Sequence, residues 1–331
     1  MTPQERLFGA HHAFDNPLSL WLTMAVLGLL VVATLVLRLA GAKFPEKLRT
    51  ELWARTITWW IITPIMIGCV LLGAAWTMGL VLTISLLAFS DYARATGLFR
   101  DHGLCATVVA GIILVQFAAL DHWYNLFLAL SPLFAAIIPI VAILPDNPKG
   151  YIQRVALALF AFLLFGACLG HLGFTANDVD YRPRILLLIV AVELNDVLAY
   201  IAGKTFGHRK LAPNTSPNKT LAGSLGALIG ITALVYWGGH YAYRGTIIDQ
   251  PRHLIILGIL TSVMGQLGDL TVSSIKRDLG IKDMGTILPG HGGFLDRFNS
   301  LLFVAPAVYH YVGAYLGWGL DQPIQILTGG H

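Results

Sequence analysis

The charge-free run from Ile57 to Phe89 decides the class of fold. It reads ITWWIITPIMIGCVLLGAAWTMGLVLTISLLAF and contains no Asp, Glu, Lys or Arg. A single helix of this length would reach about 50 Å, whereas the hydrocarbon core of a bilayer is roughly 30 Å thick. Gly73 and the segment Thr77–Gly79 offer a turn. The run therefore predicts two membrane-spanning helices in close succession.

The composition of the whole chain supports a membrane protein. Of its 331 residues, 56% are hydrophobic and 12% are charged, and the mean hydropathy is +0.69. Soluble domains carry roughly twice that charged fraction. Backbone groups in hydrocarbon need partners within their own segment, so long apolar runs predict helices. We expect an all-α, polytopic integral membrane protein with about 8–10 transmembrane helices.

Our preferred count within this range is ten spans. Besides the two spans within Ile57–Phe89, the predicted spans are Leu18–Ala40, Leu104–Leu120, Trp123–Leu144, Ile152–Gly173, Ile185–Gly203, Thr220–Trp237, His253–Val272 and Leu301–Leu320. The segment Lys43–Arg55 is basic and amphipathic, which is typical of an interfacial cytoplasmic segment.

The number of spans then places the later polar segments. With Lys43–Arg55 on the cytoplasmic side, the basic loops 204–219 and 273–300 fall on that side too, as the positive-inside rule expects. We divide the chain into an N-terminal multi-span region, 1–184, and a C-terminal catalytic membrane region, 185–331, which contains both loops. The positive charge reflects these loops, and no basic block with interleaved aromatic residues indicates nucleic-acid binding.

Several isolated residues receive no functional role. Cys69, Cys105 and Cys168 lie singly in apolar runs without disulfide or metal-ligand spacing. Six charged or histidine residues near helix ends are interpreted as solvated interfacial groups: Asp91, Arg94, Asp101, His102, Asp121 and His122.

The main polar segment of the apolar chain is Gly268–Asn299. Asp269 lies near the end of an apolar helix, and Ser273, Lys276 and Arg277 follow on the same face at helical spacing. A carboxylate at membrane depth is costly, which favours a functional role. The alternative is a structural ion pair between Asp269 and Lys276 or Arg277.

The second half of this segment is rich in glycine. It contains Pro289-Gly290-His291-Gly292-Gly293 between Lys282 and Asp296-Arg297. Glycines allow close backbone approach, and successive N–H groups can bind an anion. Magnesium binds through one or two carboxylates and the phosphate oxygens of a substrate. Asp269 and Asp296, among several cations, therefore suit a divalent metal with a polyphosphate.

A second candidate segment runs from Glu193 to Thr220. Glu193, Asp196, Tyr200, Gly203 and Lys204 are spaced for one face of a helix. The loop that follows is basic, contains Pro213 and Pro217, and includes Ser216 and Lys219 just before the next helix. A helix N-terminus favours phosphate. The alternative for this loop is a plain cytoplasmic anchor.

These motifs resemble the signature of CDP-diacylglycerol synthase, also called phosphatidate cytidylyltransferase. The matching residues are Ser273, Ile275, Lys276, Arg277, Lys282, Asp283, Gly285, Leu288, Pro289, His291, Gly292, Gly293, Phe294, Asp296, Arg297 and Phe298. Gln266, Gly268, Asn195-Asp196 and the segment Leu211–Thr220 also resemble the family. The resemblance is firm over residues 193–300, and the N-terminal half is similar only as a multi-span region.

The resemblance implies transfer of a cytidylyl group from CTP to phosphatidic acid, with Mg²⁺ as cofactor. It implies that Asp269 and Asp296 hold the metal. The groups expected to hold phosphates or nucleotide are Lys276, Arg277, Lys282, Arg297, His291, Asp196, Ser216, Lys219, Ser273, Gly292 and Gly293. It further implies a bacterial-type inner membrane with the site facing the cytoplasm, and it is compatible with a homodimer.

Two departures from the family pattern stand out. The signature usually ends in Asp, where this chain has Asn299, and Lys-Thr is usually followed by Trp-Glu-Gly, where this chain has Leu221-Ala222-Gly223. Loss of a carboxylate at either place is expected to alter metal binding, nucleotide binding or the accepted lipid.

Two alternative functions remain open from sequence. A CTP-dependent kinase of a lipid alcohol would need a base, for which Asp196 or Glu193 could serve. An ion-coupled transporter would use the intramembrane Asp196 and Asp269, but it would also predict inverted repeats, which we do not find.

Overall fold

The computed structural model describes residues 3–285, 292–318 and 327–328. Thirteen α-helices occur in this part of the chain. They are α1 (Pro3–Phe8), α2 (Pro17–Ala40), α3 (Glu46–Leu72), α4 (Ala74–Thr96), α5 (His102–Leu120), α6 (Tyr124–Ile143), α7 (Tyr151–Ala161), α8 (Leu169–Thr175), α9 (Tyr181–Phe206), α10 (Leu221–Ala242), α11 (Pro251–Asp278), α12 (Leu295–Phe298) and α13 (Leu301–Leu316).

The predicted membrane architecture is confirmed. Within the described ranges, nine helices are long and apolar enough to cross a membrane, with α7, a π-helical turn at Phe162–Cys168 and α8 forming one continuous span. The shorter apolar helix α13 corresponds to the tenth predicted span. The segment Lys43–Arg55, predicted to be interfacial, is continuous with a span, because residues 46–55 form the first turns of α3.

The close turn predicted within Ile57–Phe89 lies at Gly73. Helix α3 ends at Leu72 and α4 begins at Ala74, with Gly73 at φ +149°, a conformation that side chains disfavour. A Cβ at this position would lie 2.2 Å from the carbonyl oxygen of Leu7. Glycine is therefore required both by the backbone conformation and by the packing of α1.

Helices α9, α10 and α11 pack side by side and carry most of the predicted site. Small residues allow the close approach of α9 and α10, since a Cβ on Gly226 would lie 2.3 Å from the Cβ of Ala202. Tight packing of this kind is how helices associate where lipid removes the hydrophobic driving force. It brings the C-terminal end of α9 beside the N-terminal end of α10.

A small hairpin interrupts the otherwise helical structure. Strand β1 (Lys210–Ala212) pairs antiparallel with β2 (Ser216–Thr220), where the sequence predicted only a loop. The Thr220 side chain then caps α10 by accepting the N–H of Gly223 at 3.1 Å. The hairpin thereby fixes Lys219 directly above the first turn of α10.

The interpretation of the isolated acids as solvated groups is wrong for several of them. Asp121 is fully buried and accepts hydrogen bonds from the backbone of Leu327 and Thr328. Asp101 caps α5 at Leu104 and pairs with Arg154 at 2.9 Å. Asp91 is also buried. The intramembrane acids are therefore matched by partners that lie far away in sequence.

We predict that Gly73→Ala lowers the thermal stability of the purified protein in detergent. The substitution forces a strained backbone, which costs about 1–3 kcal/mol, and it collides with Leu7. The matched control is Gly79→Ala on the same run, where an added Cβ meets nothing within 4 Å. Equal melting temperatures for the two variants would contradict the role assigned to Gly73.

Candidate functional site

The centre of the site is the carboxylate of Asp269 on α11. Its Oδ2 forms an ion pair with the Lys219 side chain of β2, and its Oδ1 accepts a hydrogen bond from Asn299 Nδ2 at 2.7 Å. Asp196 of α9 lies within electrostatic range of both Asp269 and Lys219. Three segments that are distant in sequence thus converge on one charged cluster, as the sequence analysis expected for Asp196, Lys219 and Asp269.

These groups line a cavity of about 280 Å³ between α9, the hairpin, α10 and α11. The polar residues of its wall are Asp196, Tyr200, Ser216, Asn218, Lys219, Thr220, Ser224, Gln266 and Asp269. Ser216 and Lys219 are therefore brought to the same cavity as the two carboxylates. The cavity offers both anionic oxygens and a cation, which suits a charged ligand carrying phosphates.

A buried network of neutral polar groups adjoins this cavity. Ser262 Oγ donates to Asn195 Oδ1 at 2.8 Å, and Gln266 Nε2 donates to Ser262 Oγ at 3.1 Å. Ser224 on α10 hydrogen bonds to the Gln266 side chain. Satisfied networks in low dielectric fix their side chains in one arrangement. The sequence analysis missed Ser224 and Ser262, because a single serine in an apolar helix gives no signal.

The second predicted metal ligand, Asp296, lies in a separate cluster. Its Oδ1 accepts Lys276 Nζ at 2.8 Å, and its Oδ2 accepts the N–H groups of Met284 at 2.8 Å and Gly293 at 2.9 Å. The alternative of an ion pair between Asp269 and Lys276 or Arg277 is not what forms. Lys276 pairs with Asp296, and Asp269 pairs with Lys219.

The remaining predicted residues differ in their placement. Arg277 Nε donates to the carbonyl oxygen of Thr215 at 3.2 Å, so it fastens α11 to the hairpin. Ser273 is buried on α11, whereas Lys282 is exposed. Gly292 has a positive φ of 79° beside Asp296. His291 lies outside the described residues, as do Pro289 and Gly290.

Arg297 is the clearest candidate for an unfilled anion contact. Within the described part of the chain, its buried Nε has no hydrogen-bond partner. The side chain lies within electrostatic range of Glu193 and Asp196. A buried donor without a partner is costly, so a ligand oxygen at this position would be favourable.

The magnesium site stays a prediction. Among the described residues, no three His, Cys, Asp or Glu side chains form a group that could hold a metal ion. Magnesium needs only one or two carboxylates when substrate phosphates complete its shell. Asp269 and Asp296 supply carboxylate oxygens of the kind that Mg²⁺ binds. A lysine now balances the charge of each, Lys219 for Asp269 and Lys276 for Asp296.

The prediction that Glu193 and Asp196 share a face was only approximate, and they line different cavities. Glu193 faces an apolar cleft of about 370 Å³ between α2, α3 and α9, whereas Asp196 lines the polar cavity. A separation of three residues turns the helix by about 300°, so the two side chains point about 60° apart. Helix α9 thereby separates an apolar cleft from a polar cavity.

The sequence analysis also missed Asp91 on α4. This carboxylate is 2% exposed and accepts the N–H of Leu295 at 3.3 Å. It therefore reaches the glycine-rich segment from the N-terminal half of the chain. The signal that could have found it is the one applied to Asp269, a single carboxylate within a long apolar helix.

Comparison with known proteins decides the family. The sequence profile of the "Cytidylyltransferase family" matches residues 53–315. The chain belongs to the cytidylyltransferase family. This match confirms the resemblance found in the motifs and extends it into the N-terminal half, because the matched range begins at residue 53. It also confirms the predicted enzyme class, a nucleotidyltransferase.

Two relatives of this cytidylyltransferase cover most of its length, and a third covers about half of it. "Uncharacterized protein YnbB" of Escherichia coli (strain K12) is 32% identical over 295 residues, which is 86% of this chain and 95% of that protein. "Phosphatidate cytidylyltransferase" of Staphylococcus haemolyticus is 32% identical over 262 residues, 76% of this chain and 95% of the relative. The protein of the same name from Bacillus subtilis is 36% identical over 49% of this chain and 60% of its own length.

We predict that Asn299→Asp destabilises this cytidylyltransferase when no ligand is added. The substitution removes the hydrogen bond to Asp269 and places two carboxylates side by side, so losing a bond to a charged group should cost about 1.5–3 kcal/mol. The control is Asn214→Asp, which adds a carboxylate at an exposed position of the hairpin outside the polar cavity. Thermal unfolding should show a lower melting temperature for Asn299→Asp alone, and the difference should shrink in acid, where protonation relieves the repulsion. Equal melting temperatures would show that the Asn299–Asp269 bond contributes nothing.

Proposed function

We propose that this protein is a phosphatidate cytidylyltransferase of phospholipid biosynthesis. It joins CTP and phosphatidic acid and releases CDP-diacylglycerol and pyrophosphate. The observation that carries the proposal is the polar cavity at the end of three membrane helices, where Asp196, Lys219 and Asp269 meet. The relatives named phosphatidate cytidylyltransferase support the choice of lipid.

The reaction needs little covalent chemistry from the protein. A phosphate oxygen of phosphatidic acid attacks the α-phosphorus of CTP and forms a new P–O bond. The bond from the α-phosphorus to the bridging oxygen breaks, and pyrophosphate leaves with the electron pair. The attacking phosphate is already ionised near neutral pH, so no general base is required. Positioning and charge neutralisation supply most of the catalysis in such transfers.

The cations of the site are placed for that neutralisation. Lys219 lies in the polar cavity, and Lys276 reaches Asp296 from α11. The buried Nε of Arg297 is available to a phosphate oxygen, because it has no partner among the described residues. Ser216 and Gly292 are the further groups that we expect to contact the nucleotide.

Magnesium is part of the proposal. Asp269 and Asp296 would hold it, and when bound it would offset the negative charge that develops on the phosphates. Lys219 and Lys276 now balance these two carboxylates. Both lysines would then be free to contact phosphate oxygens.

The proposed location is a bacterial inner membrane with the site on the cytoplasmic side. CTP is soluble, whereas phosphatidic acid lies in the leaflet, so the site must meet both. The hairpin and the C-terminal end of α11 carry Arg209, Lys210, Lys219, Lys276 and Arg277, and basic loops favour the cytoplasm. A homodimer and the lack of nucleic-acid binding stay predictions.

The deciding experiment supplies the purified protein with labelled CTP, phosphatidic acid and Mg²⁺. We expect a labelled CDP-lipid and pyrophosphate in equal amounts. Formation of CDP together with a phosphorylated lipid alcohol, when such an alcohol is offered, would instead indicate a kinase. No turnover with any lipid would contradict the proposed function.

We predict that Asp269→Asn and Asp296→Asn each reduce CDP-lipid formation by about 100- to 1000-fold, because removal of one preorganised electrostatic group has an effect of that size on kcat. Both variants should remain folded, as judged by size-exclusion chromatography and circular dichroism. The matched control is Asp180→Asn at the opposite end of α9, which should retain activity. Substantial turnover in either site variant would remove the corresponding residue from the proposed metal site.

A further inference from the structure

The Asp91 carboxylate is buried far from the other acids in sequence and close to them in space. It belongs to the N-terminal region, yet it contacts the signature segment 204 positions later. The charged groups near it are Arg94, which is exposed on the same helix, and Asp296. In the described ranges Asp91 forms no ion pair, so its charge is met by backbone N–H groups.

These N–H groups belong to the start of α12. Leu295 donates to Asp91 Oδ2 at 3.3 Å, and the backbone N–H of Phe294 is near enough to the same carboxylate to stabilise its charge. Hydrogen bonds from N–H groups to a carboxylate are stronger than neutral ones. A carboxylate retained at a buried position is costly unless such bonds are made. Asp91 therefore fixes the backbone of the segment that carries Asp296.

Two glycines of the signature lie directly against Asp91. A Cβ on Gly285 would lie 2.6 Å from Asp91 Oδ1, and the Asp91 side chain supplies all three of its nearest contacts. A Cβ on Gly293 would lie 2.5 Å from Asp91 Oδ2. The need for a small residue at Gly285 thus follows from Asp91, and at Gly293 it follows from Asp91 together with the backbone of Gly285.

The Asp296 carboxylate binds the backbone of the same signature segment. It accepts the N–H groups of Met284 and Gly293, while Asp91 accepts that of Leu295. The two carboxylates therefore bind the chain on both sides of residues 286–291. Asp296 binds at Met284 and Gly293, and Asp91 binds at Leu295. Because Asp296 is itself attached to this backbone, a shift of Leu295 would move the Asp296 carboxylate relative to α11.

We propose that Asp91 is a positioning residue of the cytidylyltransferase site. It holds the backbone at Gly285 and Gly293–Leu295, so that Asp296 stays in register with Lys276 and the polar cavity. Its effect on catalysis rests on the proposed function. Its effect on the backbone does not, and the two effects are measured separately.

The first test is hydrogen exchange of the full-length protein in detergent. Asp91→Leu keeps the branching of the side chain at Cγ but has no acceptor, whereas Asp91→Asn keeps one oxygen for the N–H of Leu295. We expect peptides covering 292–298 to exchange at least about 10-fold faster in Asp91→Leu, because 1.4 kcal/mol of lost protection is a factor of 10. Asp91→Asn should fall between this variant and the wild type.

The control variant is Asp121→Asn. Asp121 is another buried acid that accepts backbone N–H groups. Asp121 follows the last residue of α5. Its substitution should leave exchange at 292–298 unchanged. Unchanged exchange in Asp91→Leu would overturn the proposal, whatever the activity. Equal acceleration in Asp121→Asn would overturn it too, because the effect would then be general destabilisation.

The second test is kinetic. Asp91→Leu should lower kcat for CDP-lipid formation by about 100-fold, since misplacement of a catalytic group by about 1 Å has that effect. The KM for phosphatidic acid should change less than about twofold, because a positioning defect acts on the reacting groups and not on lipid binding. Asp91→Asn should recover at least part of kcat. A normal kcat in a variant with fast exchange at 292–298 would overturn the catalytic part.

The third test is a double-mutant cycle. Gly285→Ala should lower activity through its collision with Asp91, and combining it with Asp91→Ala removes the colliding atoms. We expect the double variant to lose clearly less activity than the product of the two single losses, since contacting residues are not additive. Strict additivity would show that the two positions do not interact. A wild-type protein that makes no CDP-lipid would contradict the proposed function, and the exchange experiment would still decide the backbone contact.

Discussion

Everything at the polar end of this helix bundle depends on balancing buried carboxylates. A charge removed from water must be met by an opposite charge or by hydrogen-bond donors. Otherwise its desolvation lowers the stability of the fold by several kcal/mol. Asp269 is met by Lys219 and Asn299. Asp296 is met by Lys276 and two N–H groups, and Asp91 by the backbone of α12. These bonds connect the hairpin, α11, α12 and α4 to one another.

The same balance explains how a membrane protein can present a site for a highly charged nucleotide. Each lysine that neutralises a carboxylate is also a group that a polyphosphate would attract. Close packing of α9 against α10, made possible by residues such as Gly226, brings Asp196 and Lys219 to one cavity. A single helix, α9, separates this charged cluster from the apolar cleft between α2, α3 and α9.

The sequence predicted what local patterns determine. Apolar runs predicted the spans, and the number of spans predicted that Asp196, Lys219 and Asp269 lie on one membrane face. Asp296, which was predicted to hold a metal together with Asp269, lies in a separate cluster with Lys276. The pairing of charges was not predictable, because Lys219 and Asp269 are brought together only by packing of α10 and α11. Asp91 was missed for the same reason, and Glu193 was assigned to the face of Asp196 although a 60° turn is enough to separate two cavities. Asn299, marked by sequence as a departure, proved to be a direct partner of Asp269.

The most direct test of the account is an experimental structure of the protein with a non-hydrolysable CTP analogue and Mg²⁺. The account predicts that the triphosphate lies in the cavity between α9, α10 and α11, within contact of Lys219, with the metal bound to Asp269. A nucleotide bound elsewhere, or a metal that contacts neither Asp269 nor Asp296, would contradict it.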